Sequence, residues 1–120
     1  MGVKMFKIAN YVFLLMLIAM GSSFAAERQL TGAEITEFLP TIRANGSNSS
    51  QTFEASGATD YNSAGRPTIG QWRVEGDKYC SVWPPVTIWK CYGVIVDAEK
   101  KRIFWVEENG VREKNRYEIR

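Results

Sequence analysis

Cys80 and Cys91 are the only cysteines of this 120-residue chain, and the chemistry open to them is narrow. Their spacing is much longer than that of Cys-x-x-Cys, the pattern of a dithiol redox site. The chain has no histidine, and two thiolates alone make a poor zinc site because zinc takes four ligands. We therefore expect one intramolecular disulfide between Cys80 and Cys91, and neither a metal nor another cofactor.

The carboxylates are the remaining candidates for catalysis. Without histidine, the Ser-His and Cys-His nucleophile pairs are excluded. Two close acidic pairs exist, Glu107 with Glu108 and Glu75 with Asp77, but both coincide with turn signals. A catalytic acid needs a shielded site that raises its pKa, which a solvated turn does not provide. We therefore predict that the protein is not an enzyme.

The stretch 79–92 is rich in aromatic residues and contains both cysteines. If the two cysteines are directly opposed in an antiparallel hairpin, the pairs that follow are Tyr79 with Tyr92, Ser81 with Lys90, Val82 with Trp89, and Trp83 with Ile88. Alternation along each strand then puts Tyr79, Tyr92, Trp83 and Ile88 on one face, and Val82 and Trp89 on the face of the disulfide.

Two interpretations of this hairpin remain open. Its aromatic side chains can fill the core, or its loop can present Ile88 and Trp89 to a ligand or partner. Pro84 and Pro85 remove two backbone donors, so pairing is expected to stop near Trp83 and to turn the loop side chains outward. The candidate binding residues are Trp83, Ile88, Trp89 and Tyr92.

The first 25 residues have the pattern of a secretory signal peptide. Lys4 and Lys7 precede the apolar run 11–20, and Ser23-Phe24-Ala25 places small residues correctly for cleavage after Ala25. A membrane anchor is the alternative, but it needs about 20 apolar residues. We predict a cleaved signal at 1–25 and one disulfide-stapled domain at 26–120, located in the periplasm of a Gram-negative bacterium or secreted, with no membrane anchor after cleavage.

Cleavage also changes the charge of the chain. Lys4 and Lys7 leave with the signal, so the 15 basic residues fall to 13, which equals the 13 acidic residues. A neutral domain has no long-range field to attract phosphates, so we do not expect nucleic acid as a partner.

The segment after the signal predicts a short helix. Thr31 and Glu34 have the spacing of a capping box, and Leu30 can pack on Ile35 as a hydrophobic staple. Ile35, Phe38 and Leu39 share one face, and Pro40 is expected to end the helix. Two turns are not stable alone in water, so this face must pack against the rest of the domain.

The remainder reads as short strands. The polar segment 44–50 is expected to be a flexible loop. Beyond it, turn signals recur about every 8–12 residues, which is typical of an all-β barrel or sandwich. The intervening segments, at 51–55, 68–74, 78–83, 91–96, 102–106 and from 111 onward, are rich in aromatic and β-branched residues. The fold class predicted is mainly β, an antiparallel meander forming a small barrel or sandwich with one short N-terminal helix.

Several of these segments resemble a family of small exported bacterial β-domains to which no activity is assigned. The pattern is Gly70-Gln71-Trp72, then Cys80-Ser81-Val82-Trp83, then Cys91-Tyr92, with the helix segment 30–35 before it. The resemblance implies a periplasmic domain with a lipocalin-like or barrel-like fold, and it implies no catalytic residue.

Three functions fit these features. The first is a non-catalytic exported module that binds an unknown protein partner or a small apolar ligand. The second is a small periplasmic inhibitor of a hydrolase, for which a stiff, disulfide-pinned loop is suited. An enzyme that uses carboxylates alone is the least favoured.

Overall fold

The computed structural model describes residues 26–120, so the predicted signal peptide lies outside the described residues. These residues form one α-helix, α1 (Gly32–Phe38), followed by a 3₁₀ turn (Leu39–Thr41). The strands are β1 (Glu27–Gln29), β2 (Ile42–Asn45), β3 (Ser49–Phe53), β4 (Ala58–Ser63), β5 (Arg66–Glu75), β6 (Lys78–Val82), β7 (Lys90–Asp97), β8 (Arg102–Val106) and β9 (Arg112–Ile119).

Strands β2 to β9 form a closed, eight-stranded, up-and-down barrel. Each strand pairs antiparallel with the next in sequence, and β9 closes the barrel on β2. Strand β1 pairs with the part of β7 that extends beyond β6, from Glu27 opposite Asp97 to Gln29 opposite Ile95. The predicted antiparallel meander is therefore confirmed, and of the two architectures considered the protein adopts the barrel, which leaves no open sheet edge among β2–β9.

Helix α1 begins at the predicted position. Thr31 is its N-cap, and the capping box with Glu34 is present. Ile35 and Leu39 are fully buried in the core, and the ring of Phe38 meets that of Tyr117 edge-on with centroids 5.3 Å apart. Pro40 does not end the helical backbone at once, because the chain continues as a 3₁₀ turn through it, and proline is compatible with the first positions of such a turn.

The helix seals one end of the barrel. The Gly32 amide donates to Asp77 Oδ1 at 2.8 Å, which fixes the start of the helix to the turn between β5 and β6. Above it, the buried ring of Phe53 contacts Trp72, Tyr79 and Trp105, with centroids 5.8, 5.5 and 6.0 Å away. The end of the barrel nearest the helix is therefore filled with side chains.

The sequence missed three strands. The segment 44–50 is not a flexible loop: Asn45 pairs with Ser50, and the Gly46 amide donates to the Ser49 carbonyl at 3.0 Å, so only a tight turn separates β2 from β3. Strands β1 and β4 were also not expected. The inward residues of β4 include the buried, polar Thr59, so this strand lacks the alternation of apolar and polar residues that marks a half-buried strand.

The cysteine hairpin has the predicted register at its centre. Cys80 and Cys91 form a disulfide and lie directly opposite each other, with Tyr79 opposite Tyr92 and Ser81 opposite Lys90. The next two expected pairs do not form, because β6 ends at Val82 and β7 begins at Lys90. The loop between them carries the two prolines, which cannot donate to a sheet.

Candidate functional site

The end of the barrel opposite the helix is open and contains a cavity of about 380 Å³. Every strand from β2 to β9 contributes at least one lining residue, and Trp83 adds its ring from just beyond β6. This convergence follows from the pleat, since every second side chain of each strand points into the barrel. The volume lies near the lower end of the range for small-molecule sites.

Aromatic rings cover one side of this cavity. Tyr79 lies at the centre of the group, stacked on Tyr92 with centroids 6.2 Å apart and 4.9 Å from the ring of Trp105. Tyr61 and Trp83 form a second pair, edge-on at 5.7 Å. Tyr79 and Trp105 are buried, whereas Tyr61, Trp83 and Tyr92 are partly exposed. We call these five residues the aromatic side; they come from strands β4, β6, β7 and β8 and from just beyond the end of β6.

Polar groups cover the other side and part of the floor. They come from β9 and β3, namely Glu113, Asn115, Ser49 and Gln51. The Gln51 amide nitrogen donates to both Thr59 Oγ1 and Tyr79 Oη, each at 3.0 Å, and the Thr59 hydroxyl donates to the Thr52 carbonyl at 2.8 Å. This chain of bonds fixes the orientation of the Tyr79 ring.

Tyr79 stays neutral at ordinary pH. Burial raises the pKa of its phenol above the usual value, although hydrogen bonds with Ser81 and Gln51 act in the opposite direction. Because its oxygen accepts a bond from Gln51, the phenol keeps its own proton to donate. The floor of the cavity can therefore offer a hydrogen-bond donor to a ligand.

Glu113 is the one charged side chain among the described residues that line the cavity. It lies at the rim, opposite Trp105 in the pairing of β8 with β9. Of the described basic residues, none comes within 4.0 Å of its carboxylate. Lys90 lies near the same opening, with its ammonium 5.3 Å from the centre of the Tyr92 ring, but it pairs with Glu107 at 3.1 Å.

The structure separates the four residues predicted for binding. Trp83 and Tyr92 line the cavity. Ile88 is 78% exposed on the loop before β7 and does not share their face. Trp89 lies on the outside of the barrel, where the Arg73 guanidinium is 3.9 Å from the centre of its ring. Arg73 pairs with Cys80 across β5 and β6, so Trp89 is on the side of the disulfide, as the alternation predicted.

Sequence reasoning missed most of the lining. Gln51, Tyr61, Glu113 and Asn115 were not singled out, because each belongs to a segment that looked like a short strand, a loop or an unassigned tail. One local signal was present: Glu113, Asn115 and Tyr117 alternate with the basic residues Lys114 and Arg116 along β9. That alternation identifies an inward face, although it does not identify what the face encloses.

The acidic pairs singled out from the sequence lie outside the cavity lining. Glu107 pairs with Lys90, and Glu108 lies 3.8 Å from Lys78. Glu75 pairs with Arg73 at 3.5 Å, while Asp77 accepts the helix amide described above. These carboxylates thus have basic or backbone partners at turns and strand ends.

One compact group of possible metal ligands occurs among residues 26–120, formed by Glu75 with Cys80 and Cys91. Both sulfurs are bonded to each other, and it is the thiolate rather than the disulfide that ligates metals. The disulfide itself indicates an oxidising compartment outside the cytosol. In the described part of the chain, no helix has both the length and the apolar character needed to span a bilayer.

Comparisons of the chain with models of protein families, with curated proteins and with solved structures gave no significant match. The resemblance to small exported bacterial β-domains therefore stays a prediction, although the barrel-like fold that it implies is present.

Proposed function

We propose that this protein is an exported, non-catalytic binding protein that holds a small organic ligand in the open end of its barrel. The observation that carries the proposal is the contrast between the two ends. One end is filled by α1, Phe53 and Trp72, whereas the other is a lined cavity to which all eight barrel strands contribute. Small barrels that keep one end open commonly hold one ligand there.

The lining supports binding rather than turnover. Aromatic rings bury apolar surface and the polar side fixes orientation, which is the usual division of work in a ligand pocket. Glu113 is the single carboxylate of the described lining, which contains no lysine, arginine or second acid to complete a catalytic pair with it. Export to the periplasm or the exterior belongs to the same proposal and is supported by the disulfide and by the predicted signal at 1–25.

A matched pair of variants on β5 tests the cavity. Thr68 lines it, whereas the next residue, Ile69, is 68% exposed on the outer surface. The probe is N-phenyl-1-naphthylamine, a neutral dye that becomes fluorescent in apolar sites. We expect the wild type and Ile69→Phe to bind the dye with similar affinity and Thr68→Phe to bind it at least about tenfold more weakly, because the added ring fills the mouth. Equal binding by the two folded variants, or no binding by the wild type, would contradict the proposal.

A second candidate function is recognition of a protein by the loop between β6 and β7, as in a hydrolase inhibitor. It rests on Val86 and Ile88, which are 57% and 78% exposed beside the disulfide. Exposed apolar side chains on a covalently anchored loop are suited to a protein interface. Ile88→Asp should then abolish inhibition of a secreted hydrolase while leaving dye binding unchanged. Inhibition that survives this change would reject the loop as the inhibitory element.

A further inference from the structure

We propose that the cavity selects a small organic cation, such as a quaternary ammonium or a protonated amine carried on a carbon skeleton. This inference rests on the proposed function and names the chemical class of its ligand. It follows from the arrangement of charge and aromatic rings around the cavity.

The charged side chain that lines the mouth of the cavity is acidic. Among the described residues, the lining contains one carboxylate, Glu113, and no lysine or arginine. An anionic ligand would meet that carboxylate, and Lys90, the basic residue near the same opening, is already paired with Glu107, whereas a cation would gain a partner. Because the rim is solvated, the carboxylate alone gives a modest preference, and a second source of selectivity is needed.

The aromatic side provides that second source. The face of an aromatic ring carries negative potential and attracts cations, most strongly where water is excluded. Five rings line this cavity, and two of them, Tyr79 and Trp105, are buried at its floor. A cation placed between the two sides would have the aromatic rings on one flank and the polar side chains of Gln51, Asn115 and Glu113 on the other.

The barrel already contains an example of this interaction at its own mouth. The Lys90 ammonium lies 5.3 Å from the centre of the Tyr92 ring, and Tyr92 lines the cavity. Glu107 holds Lys90 in that position and, by its hydrogen bond, raises the pKa of the lysine. The ring of Tyr92 therefore already has one cation beside it at the mouth.

Lys90 also acts against a second cation. Its positive charge near Tyr92 repels a cationic ligand at short range, in part offset by its pairing with Glu107. Removing that charge should strengthen binding of a cation and leave binding of a neutral molecule unchanged. Lys90→Gln is therefore expected to increase the affinity for a cation, an effect that damage to the fold does not produce.

The test compares phenyltrimethylammonium with tert-butylbenzene, its neutral isostere, by displacement of N-phenyl-1-naphthylamine from the full domain. We expect the cation to bind about tenfold more tightly than the neutral molecule. Glu113→Gln should reduce this ratio several-fold, and Lys90→Gln should increase it. Glu113 is exposed and outside the core, so its variant is expected to fold.

The outcomes separate this inference from the function on which it rests. If the dye binds at the mouth but cation and isostere compete equally, the cation inference is wrong and the binding function stands. If the cation is preferred but neither Glu113→Gln nor Lys90→Gln changes the ratio, the assignment of selectivity to this mouth is wrong. If the wild type binds no dye and neither compound quenches its tryptophan fluorescence, both proposals fail.

Discussion

The indole ring of Trp83 lies against the backbone of Gly70, on the inner wall of the barrel. A Cβ atom placed on Gly70 would come 2.6 Å from Trp83 Cε3 and 2.7 Å from the Val82 carbonyl oxygen, closer than real contacts allow. Trp72, two residues on and also inward, donates its indole N–H to the Glu54 carbonyl at 2.8 Å. In the Gly70-Gln71-Trp72 motif, the glycine thus leaves room for the Trp83 ring at the cavity, and Trp72 packs in the filled end of the barrel.

Replacing Gly70 with alanine should therefore displace Trp83. We expect Gly70→Ala to cost about 1–3 kcal/mol of unfolding free energy through overpacking, and to weaken dye binding at the mouth because a lining ring moves. Denaturant unfolding and dye titration measure the two effects on one sample.

Gly93 offers the matched control on another barrel strand. A Cβ there would find its nearest neighbour at 3.7 Å, an ordinary contact, and the backbone is extended without a positive φ. Gly93→Ala should leave dye binding unchanged. It should raise the unfolding free energy by less than about 1 kcal/mol, because alanine is more stable than glycine within a strand. Equal losses in the two variants would refute a special contact between Gly70 and Trp83.

Local chemistry explains which parts of this fold could be predicted. The capping box at Thr31 depends on residues that are close in sequence. The register around Cys80 follows from the disulfide, which places Cys80 opposite Cys91. The strands β2 and β4 were missed because pairing distant in sequence, not local propensity, identifies them: the buried Ala44 of β2 lies opposite Tyr117 of β9. The cavity was missed for a related reason, since its lining is spread over eight strands and no local window contains it.

The disulfide should contribute substantially to stability. Removing it by Cys80→Ala with Cys91→Ala is expected to lower the unfolding free energy by about 2–4 kcal/mol, because the unfolded chain regains the freedom of a closed loop. Urea unfolding of the double variant and of the wild type, each with and without reductant, measures this. The reduced wild type should match the variant, and a variant as stable as the oxidised wild type would contradict the expectation.

The N-terminal helix should make stability depend on acid pH through Glu34. Hydrogen bonds from the Thr31 backbone amide and from Arg28 lower the pKa of Glu34 below its reference of 4.5. A carboxyl whose folded pKa is lowered stabilises the fold above the unfolded pKa, and this contribution is lost as pH falls through the lower folded value. Glu34→Gln should therefore be less stable than the wild type at neutral pH and lose less stability below about pH 4.5.

Glu37 on the same helix is the control for this effect. It forms no hydrogen bond or ion pair with the described residues, so Glu37→Gln should follow the wild-type pH profile. Thermal unfolding between neutral pH and pH 3 compares the three proteins. Parallel profiles for wild type and Glu34→Gln would show that the capping box carries no ionic contribution.

The four tryptophans of the chain give the most direct test of whether the open end of the barrel binds a small ligand. Trp83 and Trp105 line the cavity, whereas Trp89 lies on the outer surface against Arg73. Each indole N–H gives a separate signal in a ¹⁵N–¹H correlation spectrum, assignable with single Trp→Phe variants. On titration with phenyltrimethylammonium, the account predicts that the signals of Trp83 and Trp105 shift together with one saturation curve while that of Trp89 stays in place. A saturable shift of Trp89 with Trp83 and Trp105 unmoved would contradict it.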